Sequence, residues 1–327
     1  MAAPYCAMPA VSLKAFSLLP ESCPHVQSGV FSEYYAGVSK RWSSVAMKDI
    51  TDPHFFYTAP NTRKSASGDG SQLGPMTSTS LEFLCNAIAT TRVQTLVDVP
   101  CGDMNWQLGC WETTSLRAYV GLDIVEELVA VSSQRFAHHS NKRFAAWDIA
   151  LCPMPKIVVS GGGDGSGPPE MVHMRDMLQH LVLDRAVTAL VNVILSGTRY
   201  LVTTSYFSRS NQSNPNLAAR RTKDGGWRPY DLFLPPFELP APVRCAPAHG
   251  TAKLRSQYDF DHICLYAIDQ HLRSRVTPDK KIASASSRQA EKPAFAKDYA
   301  RGSKPEVAKG KGKGSAAFRA SMRHSDR

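Results

Sequence analysis

Four aspartates recur along the chain at almost even intervals, Asp98, Asp123, Asp148 and Asp176, with spacings of 25, 25 and 28 residues. Each closes or follows a short run rich in β-branched and aromatic residues, and each spacing is about the length of one strand plus one helix. A single acid at such a place serves equally well as a helix cap or a turn former. Four in register are expected to converge on one edge of an open α/β sheet, beyond the carboxyl ends of its strands, where such sheets bind ligands. A row of carboxylates there accepts hydrogen bonds from hydroxyl, amino and ammonium groups.

The turn after the first of these strands narrows the choice of ligand. It reads D-V-P-C-G-D-M-N-W (Asp98 to Trp106), and Gly102 is its only glycine. A dinucleotide brings a pyrophosphate and calls for G-x-G-x-x-G at a helix N-terminus, so nicotinamide and flavin cofactors are disfavoured. A ligand with a sulfonium, an ammonium, a ribose diol and an adenine but no phosphate suits this edge. Asp123 would accept from both ribose hydroxyls, Asp148 from the adenine amino group, and Asp98 and Asp103 would serve the ammonium, directly or through water. That ligand is S-adenosylmethionine. A second glycine-rich stretch, 160–169, is not closed by Gly-Lys-Ser/Thr and reads as a flexible surface insertion.

The elements that must hold these acids alternate from about Leu81 to Asp269 between short β-branched runs and longer amphipathic ones, the pattern of βαβ units and a parallel sheet. Strands are expected at 95–99, 118–124, 143–149, 171–176 and 199–206, with a closing strand at 262–269 and a partner for it near Val243. Helices are expected at 125–137 and 184–196. In the second, Leu183, Ala186, Val187, Leu190, Val191 and Ile194 make one apolar face and Gly197 supplies a stop.

Over roughly Phe31 to Asp269 the chain resembles the class I S-adenosylmethionine-dependent methyltransferases, and within them a subgroup with a D-x-P-C-G-D-x-x-W turn. The motifs are S-G-D-G-S (Ser67 to Ser71), the Asp98 to Trp106 turn, Y-V-G-L-D-I-V (Tyr119 to Val125), R-D-M-L-Q-H-L (Arg175 to Leu181), Y-L-V-T-T-S-Y-F (Tyr200 to Phe207) and G-G-W-R-P-Y-D-L-x-x-P-P-F (Gly225 to Phe237). The resemblance implies an α/β fold: a Rossmann-like, doubly wound sheet of about seven strands, mostly parallel with a reversed last strand and helices on both faces. It also implies methyl transfer to an unidentified acceptor. Carried over by position, Asp98, Pro100, Cys101, Gly102 and Asp103 would line the methionine part of the cofactor. Asp123 would hold the ribose, with Ile124 also among the cofactor-binding residues, Asp148 and Ile149 would flank the adenine, and Arg175 and Asp176 would stand beside the methyl. Pro100 and Met104 occupy positions where the broad class has glycines.

Methyl transfer from a sulfonium is an in-line displacement, so a base is needed only when the acceptor carries a proton of high pKa. Asp176 and His180, four apart at the expected start of a helix, would share a face as an acid/base pair; alternatively Asp176 caps that helix and His180 packs against a loop. Tyr206 is a further catalytic candidate or a wall of the pocket. On the acceptor side stand Trp106, Trp227 and Arg228. Trp227 would stack on a planar or cationic group or anchor its loop, and Arg228 would pair with a carboxylate. S-G-D-G-S, following Thr62, Arg63 and Lys64, is placed to fold over bound cofactor, or is a mobile loop. No N-P-P-Y or D-P-P-Y follows the fourth strand, which lowers the weight of nucleobase and glutamine amino groups as acceptors.

The net charge of +10 is uneven. Residues 273–327 hold 15 Lys/Arg and 5 Asp/Glu, leaving the first 272 residues formally neutral. The tail is expected to be disordered and to make at most weak nucleic-acid contact. A rival reading is a non-catalytic cofactor- or RNA-binding protein on the same fold. The eight cysteines show no C-x-x-C and no zinc spacing, so no metal is expected and they read as free thiols in a reducing compartment. No apolar run approaches the roughly 18–20 residues of a membrane span. The expected organisation is a disordered segment at 1–28, a helical lid region at 29–92, a methyltransferase domain at 93–272 and the tail at 273–327. A cytoplasmic location is expected, with organellar targeting as the alternative.

Overall fold

The computed structural model describes residues 65, 67, 69–158, 166–207, 227–248 and 261–276, and a short strand at Ser17–Leu19. Outside them lie the rest of the 1–64 region with Thr62 to Lys64, Gly225 and Gly226, most of the 160–169 insertion, and the tail beyond 276.

Seven strands form the main sheet: β1 (Thr95–Asp98), β2 (Ala118–Asp123), β3 (Lys142–Ala146), β4 (Met171–Met174), β5 (Tyr200–Tyr206), β6 (Arg244–Pro247) and β7 (Asp261–Ala267). Their spatial order is β3-β2-β1-β4-β5-β7-β6. The pairs from β3 through β5 are parallel, and β7 runs antiparallel to both β5 and β6. This is the mostly parallel, Rossmann-like sheet with a reversed last strand that the resemblance implied, and the strand expected near Val243 is β6. The order reverses between β1 and β4, the kind of switch point beyond whose carboxyl ends open α/β sheets bind ligands. A separate three-stranded antiparallel sheet joins Ser17–Leu19, Lys156–Val158 and Ser166–Gly167, so the end of the glycine-rich insertion is extended and paired.

Five helices accompany the main sheet among the described residues: α1 (Ser78–Thr91), α2 (Trp111–Ser115), α3 (Glu126–Arg135), α4 (Leu183–Leu195) and α5 (Gln270–Arg275). Side chains alternate across each strand and sort the core into two layers. Val97, Val99, Val120, Leu122, Val172 and Met174 join Ala186, Ala189, Leu190, Val193 and Ile194 of α4. Leu96, Tyr119, Met171, Val202, Ile263 and Leu265 join Phe83, Leu84, Ala87 and Ile88 of α1. In α1 the buried set Ser80, Phe83, Leu84, Ala87 and Ile88 follows helical spacing. The helix expected within the 29–92 lid region thus belongs to one of the sheet's own helical layers.

The third strand stops at Ala146, not Ile149, because the chain turns at Asp148, whose carbonyl accepts from the N–H groups of Leu151 and Cys152 at 3.0 and 2.8 Å. The cysteines depart from expectation further. Cys85 of α1 is disulfide-bonded to Cys110, with Cα atoms 5.5 Å apart. Cys245 and Cys264, facing partners in the β6–β7 ladder, form a second bridge with Cα atoms 4.1 Å apart. Free thiols are therefore not the state of these four residues; strand and helix pairing brings together cysteines that are distant in sequence. Cys152 is disulfide-bonded as well, and among the described residues Cys101 is the free cysteine. No helix among the described residues is long and apolar enough to cross a membrane.

Candidate functional site at the carboxyl ends of β1, β2 and β4

The turn after β1 is built around one peptide group. Gly102 has φ +55°, in the left-handed region that favours glycine. Its N–H donates to Asp123 Oδ2 at 2.9 Å, while the carbonyl of the preceding Cys101 accepts from Gln107 Nε2 at 3.1 Å. The Cys101–Gly102 peptide is thus held at both ends. Cys101 N–H also donates to the Leu122 carbonyl at 2.8 Å, which ties the turn to β2. Gly121 on β2 makes room for this: a Cβ there would lie 2.9 Å from Cys101 Sγ and 2.5 Å from the Phe144 ring.

Asp123 ends β2 with a buried carboxylate that also accepts from Val125 N–H at 3.0 Å. Burial pushes its pKa up to about 6, and the backbone donors of Val125, Gly102 and Ile124 pull the other way by favouring the charged form. The Cys101 thiol is pushed well up, first by burial and then by Asp123 and Asp98, so it stays protonated.

Asp98 is placed differently from the expectation that it serves the cofactor's ammonium. It shares the strand face of Leu96 and is fully buried in the α1 layer. Its Oδ2 accepts from Tyr119 hydroxyl at 2.6 Å and Gln107 Nε2 at 2.9 Å, and Oδ1 faces His173 Nδ1 at 2.7 Å. Trp106, expected on the acceptor side, is instead buried edge-on to His173, with the Arg175 guanidinium 5.3 Å from its ring centroid.

The S-G-D-G-S region lies against the turn. Ser65 hydroxyl donates to Asp103 Oδ1 at 2.9 Å, and Asp103 N–H donates to Ser67 Oγ at 3.2 Å. Leu73 N–H donates to Asn105 Oδ1 at 2.9 Å. Arg175, directly after β4, donates to the Gly70 carbonyl at 2.9 Å and to Ser80 Oγ at 3.2 Å and pairs with Asp176 at 3.0 Å. It therefore latches this segment and α1 to the end of β4.

Asp148 is buried two residues past β3. Its Oδ2 pairs with Arg185 of α4 at 2.7 Å and its Oδ1 accepts from Ala150 N–H at 3.0 Å. Ile149, expected beside it in the site, is buried in the core on the α4 side, whereas Ile124 is only partly covered. Pro100 follows Val99 through a cis peptide bond.

After β4 the expected helix start is absent. Asp176 has φ +52°, residues Leu178–His180 form a single 3-10 turn, and α4 begins only at Leu183. The shared helical face proposed for Asp176 and His180 is therefore not formed. Asp176 is instead held at the end of β4 by Thr204, which receives its N–H at 3.0 Å and donates to Oδ1 at 3.2 Å, and by Gln179 Nε2 at 3.1 Å. Its side chain keeps 24% of its surface exposed. Tyr206, at the end of β5, is buried and perpendicular to Trp227 at 5.5 Å between ring centroids; Trp227 is 36% exposed. Burial, and then the charges of Asp176 and Asp261, push the Tyr206 hydroxyl well above its ordinary range, so it remains a hydrogen-bond donor at neutral pH. Arg228 turns inward: its N–H donates to the Gln179 carbonyl at 2.8 Å and its guanidinium to the Leu181 carbonyl at 3.3 Å. Buried there, it anchors the loop and does not present a cation to an acceptor carboxylate.

Sequence reasoning missed His173, Tyr119, Gln107 and Thr204. A histidine inside the apolar strand M-V-H-M was a usable signal, since a polar side chain buried in a sheet needs a partner.

No known family profile matches the chain, and no curated protein matches it. Among solved structures it is similar to magnesium protoporphyrin IX methyltransferase from Synechocystis PCC 6803 with bound S-adenosylhomocysteine, at 12% identity and a TM-score of 0.40 over 58% of this chain and 83% of that one. The N-methyltransferase NodS from Bradyrhizobium japonicum WM9, in complex with S-adenosylhomocysteine, aligns at 10% identity and 0.40 over 68% and 96%. The S-adenosylmethionine-dependent methyltransferase SibL aligns at 15% and 0.40 over 74% and 75%.

Proposed function

We propose that the chain is an S-adenosylmethionine-dependent methyltransferase. The observation that carries this is the Gly102–Asp123 junction: a glycine turn after β1 joined to a buried carboxylate at the end of β2, on a 3-2-1-4-5-7-6 sheet. A carboxylate has more acceptor sites than the donors now occupying Asp123, so it can also accept from a ribose diol. The turn has one glycine, and Asp103 and Asp123 flank it, a poor setting for a pyrophosphate and a good one for a ligand that is cationic and lacks phosphate. Asp103 would serve the ammonium side, Asp123 and Ile124 the ribose, and Asp148 the adenine amino group.

When bound, the cofactor supplies an electrophilic methyl on a sulfonium. The chain's own part is to orient the acceptor for in-line attack and to remove its proton if it carries one. Asp176, held by Thr204 and partly exposed, would take that proton. Tyr206 would donate a hydrogen bond to the acceptor, and Trp227 would stack on it. Asp103, Asp123 and Ile124 would hold the cofactor as its methyl leaves and the electrons of the carbon–sulfur bond stay on sulfur, while Asp176 would hold the proton that the acceptor loses. Calorimetric titration with S-adenosylmethionine and S-adenosylhomocysteine tests the reading. Heat and a raised melting temperature with both support it; neither at millimolar ligand overturns it.

A further inference from the structure

The buried cluster around Asp98 has a use beyond filling the core. Its donors come from three places: Tyr119 on β2, Gln107 after the turn and His173 on β4, the Cα partner of Asp98 in the β1–β4 ladder. Only one of these, Gln107, reaches onward. Its Nε2 bonds both Asp98 Oδ2 and the Cys101 carbonyl, and the same peptide delivers Gly102 N–H to Asp123.

We propose that His173 is a positioning residue for the cofactor turn, acting through Asp98 and Gln107 on the Cys101–Gly102 peptide. The proposal rests on the methyltransferase reading only for what the turn binds. Because a carboxylate can only accept, the imidazole proton lies on Nδ1, and His173 holds Asp98 Oδ1 so that Oδ2 is presented to Gln107. Nε2 has no hydrogen-bond partner among the described residues, and the imidazole ring lies edge-on to the Trp106 indole. The functional contact of His173 is thus the single bond to Asp98. Tyr119, on the same oxygen as Gln107, keeps Asp98 satisfied but does not orient the turn.

Three variants test this: His173→Asn, whose amide can replace Nδ1–H; His173→Phe, which keeps the ring and removes the donor; and Gln107→Leu, which cuts the link to Cys101. S-adenosylhomocysteine affinity is expected to fall tenfold or more in His173→Phe and in Gln107→Leu, to stay within about threefold of wild type in His173→Asn, and to fall no further in the His173→Phe/Gln107→Leu double variant. A folded His173→Phe with wild-type affinity, or additive losses in the double variant, would overturn the proposal. Amide hydrogen exchange without ligand separates this from failure of the methyltransferase reading. His173→Phe, or Gln107→Leu if the first does not fold, should speed exchange at Gly102 N–H relative to the amides of β2. Unchanged relative protection there would also overturn it, whether or not the wild type binds the cofactor.

Discussion

Gly102 and Asp123 meet across the carboxyl ends of β1 and β2, the glycine N–H 2.9 Å from the aspartate Oδ2. One carboxylate therefore shapes the turn and, in the proposed function, would also accept from a ligand. Asp123→Ala should weaken S-adenosylmethionine binding by tenfold or more and lower stability by about 1–3 kcal/mol, since it leaves a buried N–H unpaired. Isothermal calorimetry and thermal melting read both; unchanged binding would remove Asp123 from the site.

The pKa of Asp123 gives a pH dependence of unusual sign. Its folded value of about 6 lies above the ordinary 3.8, so the folded state binds the extra proton. The stability it contributes is fully present below about pH 4 and is lost as pH rises through about 6, on the order of 3 kcal/mol in all. Ligand hydroxyls need the ionised form, so cofactor affinity should rise between about pH 5 and 7. Melting and titration curves of wild type against Asp123→Asn isolate both effects, and parallel curves would contradict them.

Gly102→Ala meets two obstacles. The left-handed backbone disfavours any side chain by about 1–2 kcal/mol, and the new Cβ would lie 2.3 Å from Ser67 Oγ. Stability should fall and the Ser67–Asp103 contact should break. Adding Ser67→Gly should relieve the crowding but not the backbone term, so partial recovery of melting temperature is the expected result.

Asp176→Asn should lower turnover by about a hundredfold for an acceptor that must lose a proton, while leaving cofactor affinity within about threefold. Tyr206→Phe should lower it less, by about tenfold, because it removes a donor and leaves the wall in place. Wild-type turnover in both would take them off the catalytic list.

The disulfides can be counted chemically. Among the described cysteines, alkylation of the denatured chain should label Cys101 without reductant, and Cys85, Cys110, Cys152, Cys245 and Cys264 only after reduction. Opening the Cys85–Cys110 bridge, which spans 25 residues, should cost about 3 kcal/mol of stability by loop entropy.

Much of the sheet is readable from residue types alone. The runs T-L-V-D, A-Y-V-G-L-D and Y-L-V-T-T-S-Y announce β1, β2 and β5, and the apolar stripe of α4 announces a helix ended by Gly197. The roles of the acids are less legible. The alternation L-V-D puts Asp98 on the same face as Leu96, but only the register against Tyr119 and His173 makes that face a closed polar cluster. Asp148 finds Arg185 37 residues later, on a helix whose rotation about its axis is set by the core. At Asp176 the helical spacing to His180 was misleading, because a positive φ and a 3-10 turn intervene before α4. The cysteine pairs were equally hidden, since cross-strand neighbours such as Cys245 and Cys264 are defined by the β6–β7 register.

The distance from Asp98 to His173, 75 residues along the chain, also bears on how the protein is made. As synthesis proceeds from the N-terminus, the stretch from Asp98 to Gln107 leaves the ribosome well before the residue that completes its carboxylate's partners. Until β4 has emerged and paired with β1, Asp98 lacks one of its partners, and under the proposed function cofactor capture would wait for that strand.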